Sequence, residues 1–486
     1  MRESHILAVD QGTSSTKALL VDAAGRIAAR AEAPLAQSHP GPGLVEQDAS
    51  ALLDSVRAAV ADCLRDSDPR AVAGVALSTQ RESVVVWDTA TGLPVAPLVS
   101  WQDQRGVEHA ARLGRAGRSE EIRRRTGLPL DPMFSALKMS ALLDAHDPSR
   151  VRGGSGAWTL GTVDAYLLHA LTGESVTEIG NASRTQLMDL ATGDWDTGLL
   201  ALFGVPRAAL SDIVPSTGPF GKIRGLTPLL DGTPVLAVMG DSHAALFAHA
   251  GWRRGTVKVT YGTGSSVMAV TDSSRPAEDL CTTVAWSTGP TTYAHEANIR
   301  STGRTITWLA ELLGCTPEEV LRLASDADAG GATLVPAFGG VGAPWWDARA
   351  VPVLAGFGLG TGRAQLARAA LESVAFQVND VLAVLPGLRH VVADGGLSRC
   401  DELMRLQADI SDMTVARTPH HELSAMGAAH LAGLGAGLWT AGELERRADS
   451  GLRIFAPAWE DARRSDAVAR WHQRLGAARD LGARAR

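Results

Sequence analysis

The sequence predicts an α/β fold in two similar lobes, and three observations carry that prediction. Short apolar strands alternate with segments of helical periodicity along most of the 486 residues. The turn Asp10-Gln11-Gly12-Thr13-Ser14-Ser15 follows an apolar strand near the start, and Tyr261-Gly262-Thr263-Gly264-Ser265-Ser266 follows another near the middle. At roughly 100–200 residues per domain the length calls for two or three domains. The paired turns divide the chain into lobes at 1–245 and 246–486.

Taken in order, His5 to Val9, Ala18 to Val21 and Arg26 to Ala31 read as three short strands, the last after the Ala24-Gly25 turn. Leu52, Leu53, Val56, Val60, Cys63 and Leu64 recur at helical spacing behind Asp48, a cap candidate. The strand Gly74 to Leu77 delivers Gln80-Arg81-Glu82 at its end, and Val84 to Trp87 is a further strand. A buried-strand pattern at Val235 to Gly240 ends in Asp241, and Thr256 to Thr260 opens the second lobe. There Leu366, Ala370, Val374, Val378, Val381 and Leu385 share one helix face, and Val391 to Ile410 reads as strand, turn and helix. The glycine-rich stretches at 339–344 and 356–360 read as loops, and the arginine-rich stretch from Arg463 as a solvated helical face.

Composition narrows the function. Hydrophobic residues make up 45% and charged residues 20%, ordinary globular usage. With 46 basic and 53 acidic residues the net charge is −7, which gives no global attraction for nucleic acid or anionic lipid. Cys63, Cys281, Cys315 and Cys400 form no CxxC pair, so neither a zinc clip nor a redox dithiol is expected. No segment approaches ~20 uninterrupted apolar residues, and the opening residues reach charge before an apolar leader develops, so a cytoplasmic location is expected. The basic residues include just four lysines, Lys17, Lys138, Lys222 and Lys258, which makes any lysine near a motif conspicuous.

Several strand ends could carry chemistry. Small residues in the two turns let backbone N–H groups approach phosphate, although such turns are also ordinary hairpins. No lysine stands in a GxxxxGK[ST] context, which excludes a Walker-type loop. Asp10 could instead hold a hydrated Mg²⁺. Lys17 reads either as a phosphate contact or as an exposed strand charge. Asp241, at a strand C-terminus where α/β sheets bind ligands, reads as a proton acceptor in phosphoryl transfer or as a helix N-cap. Arg81-Glu82 could orient a polyhydroxy compound or form a surface ion pair. Trp101 could wall a carbon backbone or pack in a core. The turn Asp394-Gly395-Gly396 could approach a nucleotide.

Taken together, strings spread over nearly the whole chain resemble the FGGY carbohydrate kinases, glycerol kinases above all. They include AVDQGTSSTKALLVD from Ala8, STQRESVVVWD from Ser78, VSWQDQR from Val99, TGLPLDPMFSALK from Thr126, GNASRTQLMDL from Gly180, GDSHAALFAHAG from Gly240, TYGTGS from Thr260, LVPAFGGVGAPWWD from Leu334 and ADGGLSRCDELMRLQADI from Ala393. The resemblance implies two actin-like, ribonuclease-H-like ATPase lobes around a central nucleotide and substrate cleft. It also implies transfer of the ATP γ-phosphoryl group, with Mg²⁺, to a terminal hydroxyl of glycerol or a longer polyol, or of a pentulose or tetrulose. An actin-like ATPase without a sugar substrate is the competing class.

By the same resemblance Asp241 is the catalytic base, Asp10 the carboxylate near the metal, Arg81 and Glu82 the substrate-orienting pair and Trp101 the aromatic wall. Thr13, Ser14, Ser15 and Thr263 fall to the phosphates, with Lys17 beside them, and Gly303 and Gly396 to the nucleotide. The implied partner is a small polyol or ketose, not nucleic acid or membrane, and a homo-oligomer is compatible with it. The chain departs from glycerol kinases at Met133, Ser242 and Ser266, where they place Tyr, Gln and Phe, and at Thr307 and Cys400 on the adenine side. Two of the pocket changes remove bulk, and Met is flexible. A roomier acceptor pocket is expected.

Overall fold

The computed structural model describes residues 4–484. Two mixed sheets organise it. The first is built from β1 (His5–Gln11), β2 (Ser15–Val21), β3 (Ile27–Pro34), β4 (Val72–Thr79) and β5 (Val235–Gly240), in the order β5-β4-β1-β2-β3. β1 pairs antiparallel with β2 and parallel with β4, which is parallel to β5. The helix α1 (Ala49–Cys63) covers one face, and Asp48 caps it by accepting from the N–H groups of Ser50 and Ala51 at 2.8 and 3.3 Å. The strand period of two sorts the side chains: Leu7, Val9 and Leu20 pack with Leu52, Val56 and Val60, while Ile6, Ala8 and Leu19 point to the opposite face.

The helix α2 (Asp241–Ala248) continues β5. The second sheet then contains β6 (Thr256–Tyr261), β7 (Ser265–Thr271), β8 (Cys281–Ser287), β9 (Thr291–Ile299), β10 (His390–Asp394), β11 (Thr414–Arg417) and β12 (Arg453–Phe455), in the order β8-β9-β7-β6-β10-β11-β12. Its inner run β9-β7-β6-β10-β11 repeats the pairing of β3-β2-β1-β4-β5, two antiparallel contacts followed by two parallel ones. The similarity that two short turns suggest in the sequence is therefore a repeated sheet topology, with β8 and β12 added at its edges.

Between β9 and β11 the chain contributes α3 (Gly303–Leu313), α4 (Arg363–Val384) and α5 (Asp401–Ser411), and after them come α6 (Leu423–Gly435) and α7 (Asp461–Arg484). α4 lays Ala370, Val374, Val378 and Val381 on the second sheet's core, as their spacing predicts. α7 differs from its sequence reading. Among its arginines, Ala467, Trp471, Leu475 and Ala478 form a buried stripe against the same core, and Trp471 stacks on Phe376 at 5.4 Å. The arginine count masks a 3.6-residue apolar period. Residues 485 and 486 lie outside the described residues.

α6 does not stay with the sheet that precedes it. Ala425, Ala428, Ala429 and Ala432 pack on α2 and on the face of the first sheet lined by Ile6, Ala8, Ala76 and Met239. The approach is close enough that a Cβ on Gly427 would lie 1.7 Å from the carbonyl oxygen of Ala244. No side chain larger than hydrogen fits there. Among the described residues no helix is long and apolar enough to cross a membrane.

Candidate active site between the lobes

The parallel run β5-β4-β1 places three carboxyl ends side by side, so Asp241, the segment Gln80-Arg81-Glu82 and Asp10 share one rim of the first sheet. β6 and β10 do the same in the second lobe, bringing the 262–264 turn beside Gly395 and Gly396. The two lobes meet beside these rims, where Arg81 of the first reaches Glu296 of the second.

Arg81 and Glu82 do not form a surface ion pair. Both are buried, and Glu82 holds a left-handed backbone at φ 63°, a conformation that costs a non-glycine residue of order 1–3 kcal/mol. Arg81 donates from Nη1 and Nη2 to the two carboxylate oxygens of Glu296 on β9 at 2.8 and 2.7 Å, a bidentate pair between the lobes. Its Nε lies 3.4 Å from Oδ1 of Asp241. Arg184 is completely buried, donates from Nε to Oε1 of Glu82 at 2.5 Å and approaches Glu296 at 3.1 Å. Burial favours the neutral form of Glu296, but Arg184 and Arg81 outweigh it and hold the carboxyl far below its ordinary range. His243 lies 3.3 Å from Arg81, and burial together with that guanidinium keeps its imidazole neutral.

Asp241 is the first residue of α2 and not its cap, which falls on Gly240. Its carboxylate accepts the N–H of Ser242 at 2.6 Å and still presents 37% of its side chain to the cleft. Burial raises its pKa above the usual carboxylate value, with Arg81 pulling the other way. Asp10 accepts the Ser78 hydroxyl at 2.7 Å and is pushed up to about 7, mainly by burial and further by the charge of Asp241. A carboxyl held that high favours a cation beside it. Among the described residues no three or more His, Cys, Asp or Glu side chains cluster as a metal cage. Mg²⁺ takes one or two carboxylates and completes its shell with water and phosphate.

Ser14 and Thr263 are the exposed tips of the two Gly-Thr-Ser turns. Ser15 gives its hydroxyl to Glu32 at 2.6 Å, and Thr13 accepts the indole N–H of Trp101 at 3.1 Å, so Trp101 is tied to the first turn. Lys17 sits directly across from Asp10 on β2, but its ammonium is tied to Glu422 at 2.7 Å. Gly303 spends its N–H on the carbonyl of Gly262 at 3.0 Å, bracing the second turn from α3. Thr307 is exposed on α3 and bonds the carbonyl of Gly303 at 3.2 Å. Cys400 precedes α5, and burial pushes its thiol up. Met133 packs with Leu128, Phe134, Cys281 and Trp346. Ser242 is the second residue of α2, and Ser266 shares the β7 face of Met268, which packs toward the first lobe. The Ser266 hydroxyl is buried without a partner among the described residues.

Sequence reasoning missed Arg184, Glu296 and His243, which touch the Arg81-Glu82 pair from distant elements. It also missed the buried amides of Gln11, Gln47 and Gln80 behind the first turn, where Gln47 donates to the Thr13 carbonyl at 2.8 Å and Gln80 to Gln11 at 3.1 Å. Lys258 is fully buried, 3.4 Å from the Ser242 carbonyl and within the fields of Asp394 and Asp241. Scarcity of lysine was the one signal pointing to it.

Gly396 faces open space, whereas a Cβ on Gly395 (φ 90°) would lie 2.5 Å from the carbonyl oxygen of Tyr261. Gly395→Ala is therefore expected to displace the turn, lowering the thermal midpoint and raising the KM for ATP by about tenfold, the effect of ~1.4 kcal/mol. Gly396→Ala leaves the thermal midpoint unchanged. Equal midpoints for the two variants would show the turn to be free of β6.

Two lobes of repeated topology, with carboxylates, arginines and small-residue turns facing one cleft, define a phosphotransferase of the actin-like ATPase type. The FGGY family of carbohydrate kinases, N-terminal domain, matches residues 5–248, and its C-terminal domain matches 257–436. The chain belongs to this family. It is 39% identical to an apulose kinase of Pectobacterium atrosepticum over 98% of each chain. It is equally 39% identical to a glycerol kinase of Aromatoleum aromaticum, over 98% of this chain and 99% of the relative. The crystal structure of Plasmodium falciparum glycerol kinase with ADP superposes with a TM-score of 0.92 at 25% identity, covering 98% of both chains. The protein is thus an ATP- and Mg²⁺-dependent carbohydrate kinase with an alcohol acceptor.

Proposed function

We propose that the chain phosphorylates a terminal hydroxyl of glycerol or a longer polyol, with a pentulose or tetrulose as the second reading. What supports the longer acceptor is the departure from glycerol kinases at Met133, Ser242 and Ser266, together with the buried Ser266 hydroxyl, which has no partner among the described residues. A hydroxyl or carbonyl beyond the third carbon of an acceptor could use that group. The ketose reading draws on the apulose kinase relative.

In this mechanism Arg81 and Glu82 orient the acceptor hydroxyls, and Arg184 and Glu296 hold that pair in place. Asp241 takes the proton of the attacking hydroxyl as its oxygen bonds to the γ-phosphorus and the bond to the β-phosphate oxygen breaks, leaving ADP. Thr13, Ser14, Ser15 and Thr263 line the phosphates, with Gly303, Gly396, Thr307 and Cys400 on the nucleotide side and Lys17 released from Glu422 to join them. Asp10 would hold Mg²⁺, which would supply shielding of the phosphate charge. The lobes divide near 245/246. The kinase works in the cytoplasm on a small molecule, needs neither nucleic acid nor membrane, and can assemble as a homo-oligomer.

The test is ADP release with Mg²⁺ and ATP over glycerol, erythritol, threitol, xylitol, ribulose and xylulose. A higher kcat/KM for an acceptor of four or more carbons than for glycerol is expected. A clear preference for glycerol refutes the roomier pocket, and acceptor-independent hydrolysis refutes the carbohydrate acceptor.

A further inference from the structure

Lys138, on the helix Ser135–His146, is completely buried, yet among the described residues no carboxylate pairs with it. Its ammonium donates instead to three consecutive backbone carbonyls, those of Pro132 and Phe134 at 3.1 Å each and that of Met133 between them. The loop is polarised to suit. Pro132 has no N–H, and the N–H groups of Met133 and Phe134 turn to Asp131, on its Oδ1 at 2.9 Å and its carbonyl at 3.2 Å. That leaves three carbonyls converging beside the apolar cluster of Leu128, Phe134 and Cys281, where unpaired they would each cost about 1–3 kcal/mol. A lysine supplies three donors from a single atom.

The same helix start grips the acceptor side twice more. Ser135 donates its hydroxyl to the carbonyl of Glu82 at 3.0 Å, and the N–H of Ala136 binds the carbonyl of Thr185 at 2.8 Å, next to Arg184. Arg184 in turn lies over the Phe134 ring at 5.0 Å. The Pro132–Phe134 segment is therefore clasped between a buried arginine on one side and a buried lysine on the other.

We propose that Lys138 is a positioning residue for the acceptor, fixing the Pro132–Phe134 loop so that Met133 and the Glu82 peptide stand at a set separation. This inference rests on the reading that Met133 lines the acceptor pocket. Burial pulls Lys138 down to about 7, with Glu82, Asp103 and Asp131 opposing the shift. A buried charge of this kind is a poor device for stability alone. It is a good one for holding a loop of inward carbonyls in one geometry.

The test uses the full chain and the acceptor of highest kcat/KM in the screen above. Lys138→Met is expected to raise the acceptor KM at least tenfold while the KM for ATP stays within twofold. Lys138→Gln, which retains two N–H donors without a charge, is expected to fall between that variant and the native chain. Unchanged acceptor KM in both variants overturns the proposal, and so does a parallel rise in both KM values or loss of the fold in both, each of which makes Lys138 general scaffold. Met133→Ala separates the two readings. If it leaves the acceptor KM untouched, the loop is not at the acceptor; if it changes that KM while Lys138→Met does not, the positioning role alone fails.

Discussion

Asp241→Asn should reduce kcat by ~10²–10⁴-fold, the usual contribution of a general base, while the Kd for ATP stays within about twofold. The expectation follows from where the carboxylate stands. It begins α2 at the end of β5, is open to the cleft, and keeps one oxygen on the Ser242 N–H and near Arg81 Nε. Asn preserves that size and can still accept from Ser242, so the scaffold is kept and the proton acceptor is lost. Burial, only partly countered by Arg81, raises the Asp241 pKa above its ordinary 3.8. As pH falls through that raised value the base becomes protonated, so the acid limb of kcat lies above pH 3.8 in the native enzyme and is absent from the Asn variant. Titration calorimetry with ATP and steady-state rates with the acceptor measure the two halves separately. Turnover close to native would remove Asp241 from the chemistry.

Glu296→Gln should produce the largest loss of stability among single substitutions in the cleft. One carboxylate balances two buried guanidinium groups, Arg81 by a bidentate pair and Arg184 at 3.1 Å. Removing a partner from such a buried arrangement typically costs ~3–5 kcal/mol, because Glu82 and Asp241 alone are left to balance two guanidinium groups shielded from water. The amide retains one acceptor oxygen, so the folded chain should be recoverable at reduced temperature with a clearly lower thermal midpoint. Its acceptor KM should rise as Arg81 loses its anchor, and the KM for ATP should move less. A thermal midpoint within a degree of native would show that the guanidinium groups find other partners.

Much of this cleft is legible in the sequence, for a physical reason. Asp10, Arg81-Glu82 and Asp241 each follow an apolar run, and a strand that ends on a charged residue delivers it to a sheet rim. The paired turns also give away the lobes. What escapes is everything that depends on folding distant segments together. Glu296 lies 215 positions from Arg81 and sits mid-strand in Thr291–Ile299, where nothing in the alternation marks it. Arg184 lies in a turn after a short helix, one arginine among many. Lys138 and Lys258 were flagged by scarcity, yet no local pattern states that one would face backbone carbonyls and the other the rear of Asp241. The arginine-rich terminus shows the opposite failure, since counting charges hid the apolar stripe that docks α7.

The path of α6 gives the two-lobed kinase a property its sequence halves do not suggest. A helix made by residues 423–435 supplies the apolar cover for strands made by residues 6–8, 76 and 237–239. The first lobe therefore cannot complete its own interior until the chain has been synthesised past residue 435. Until then its sheet carries an uncovered greasy face, a feature that invites chaperone capture during translation. The mature lobes are consequently joined by an internal brace.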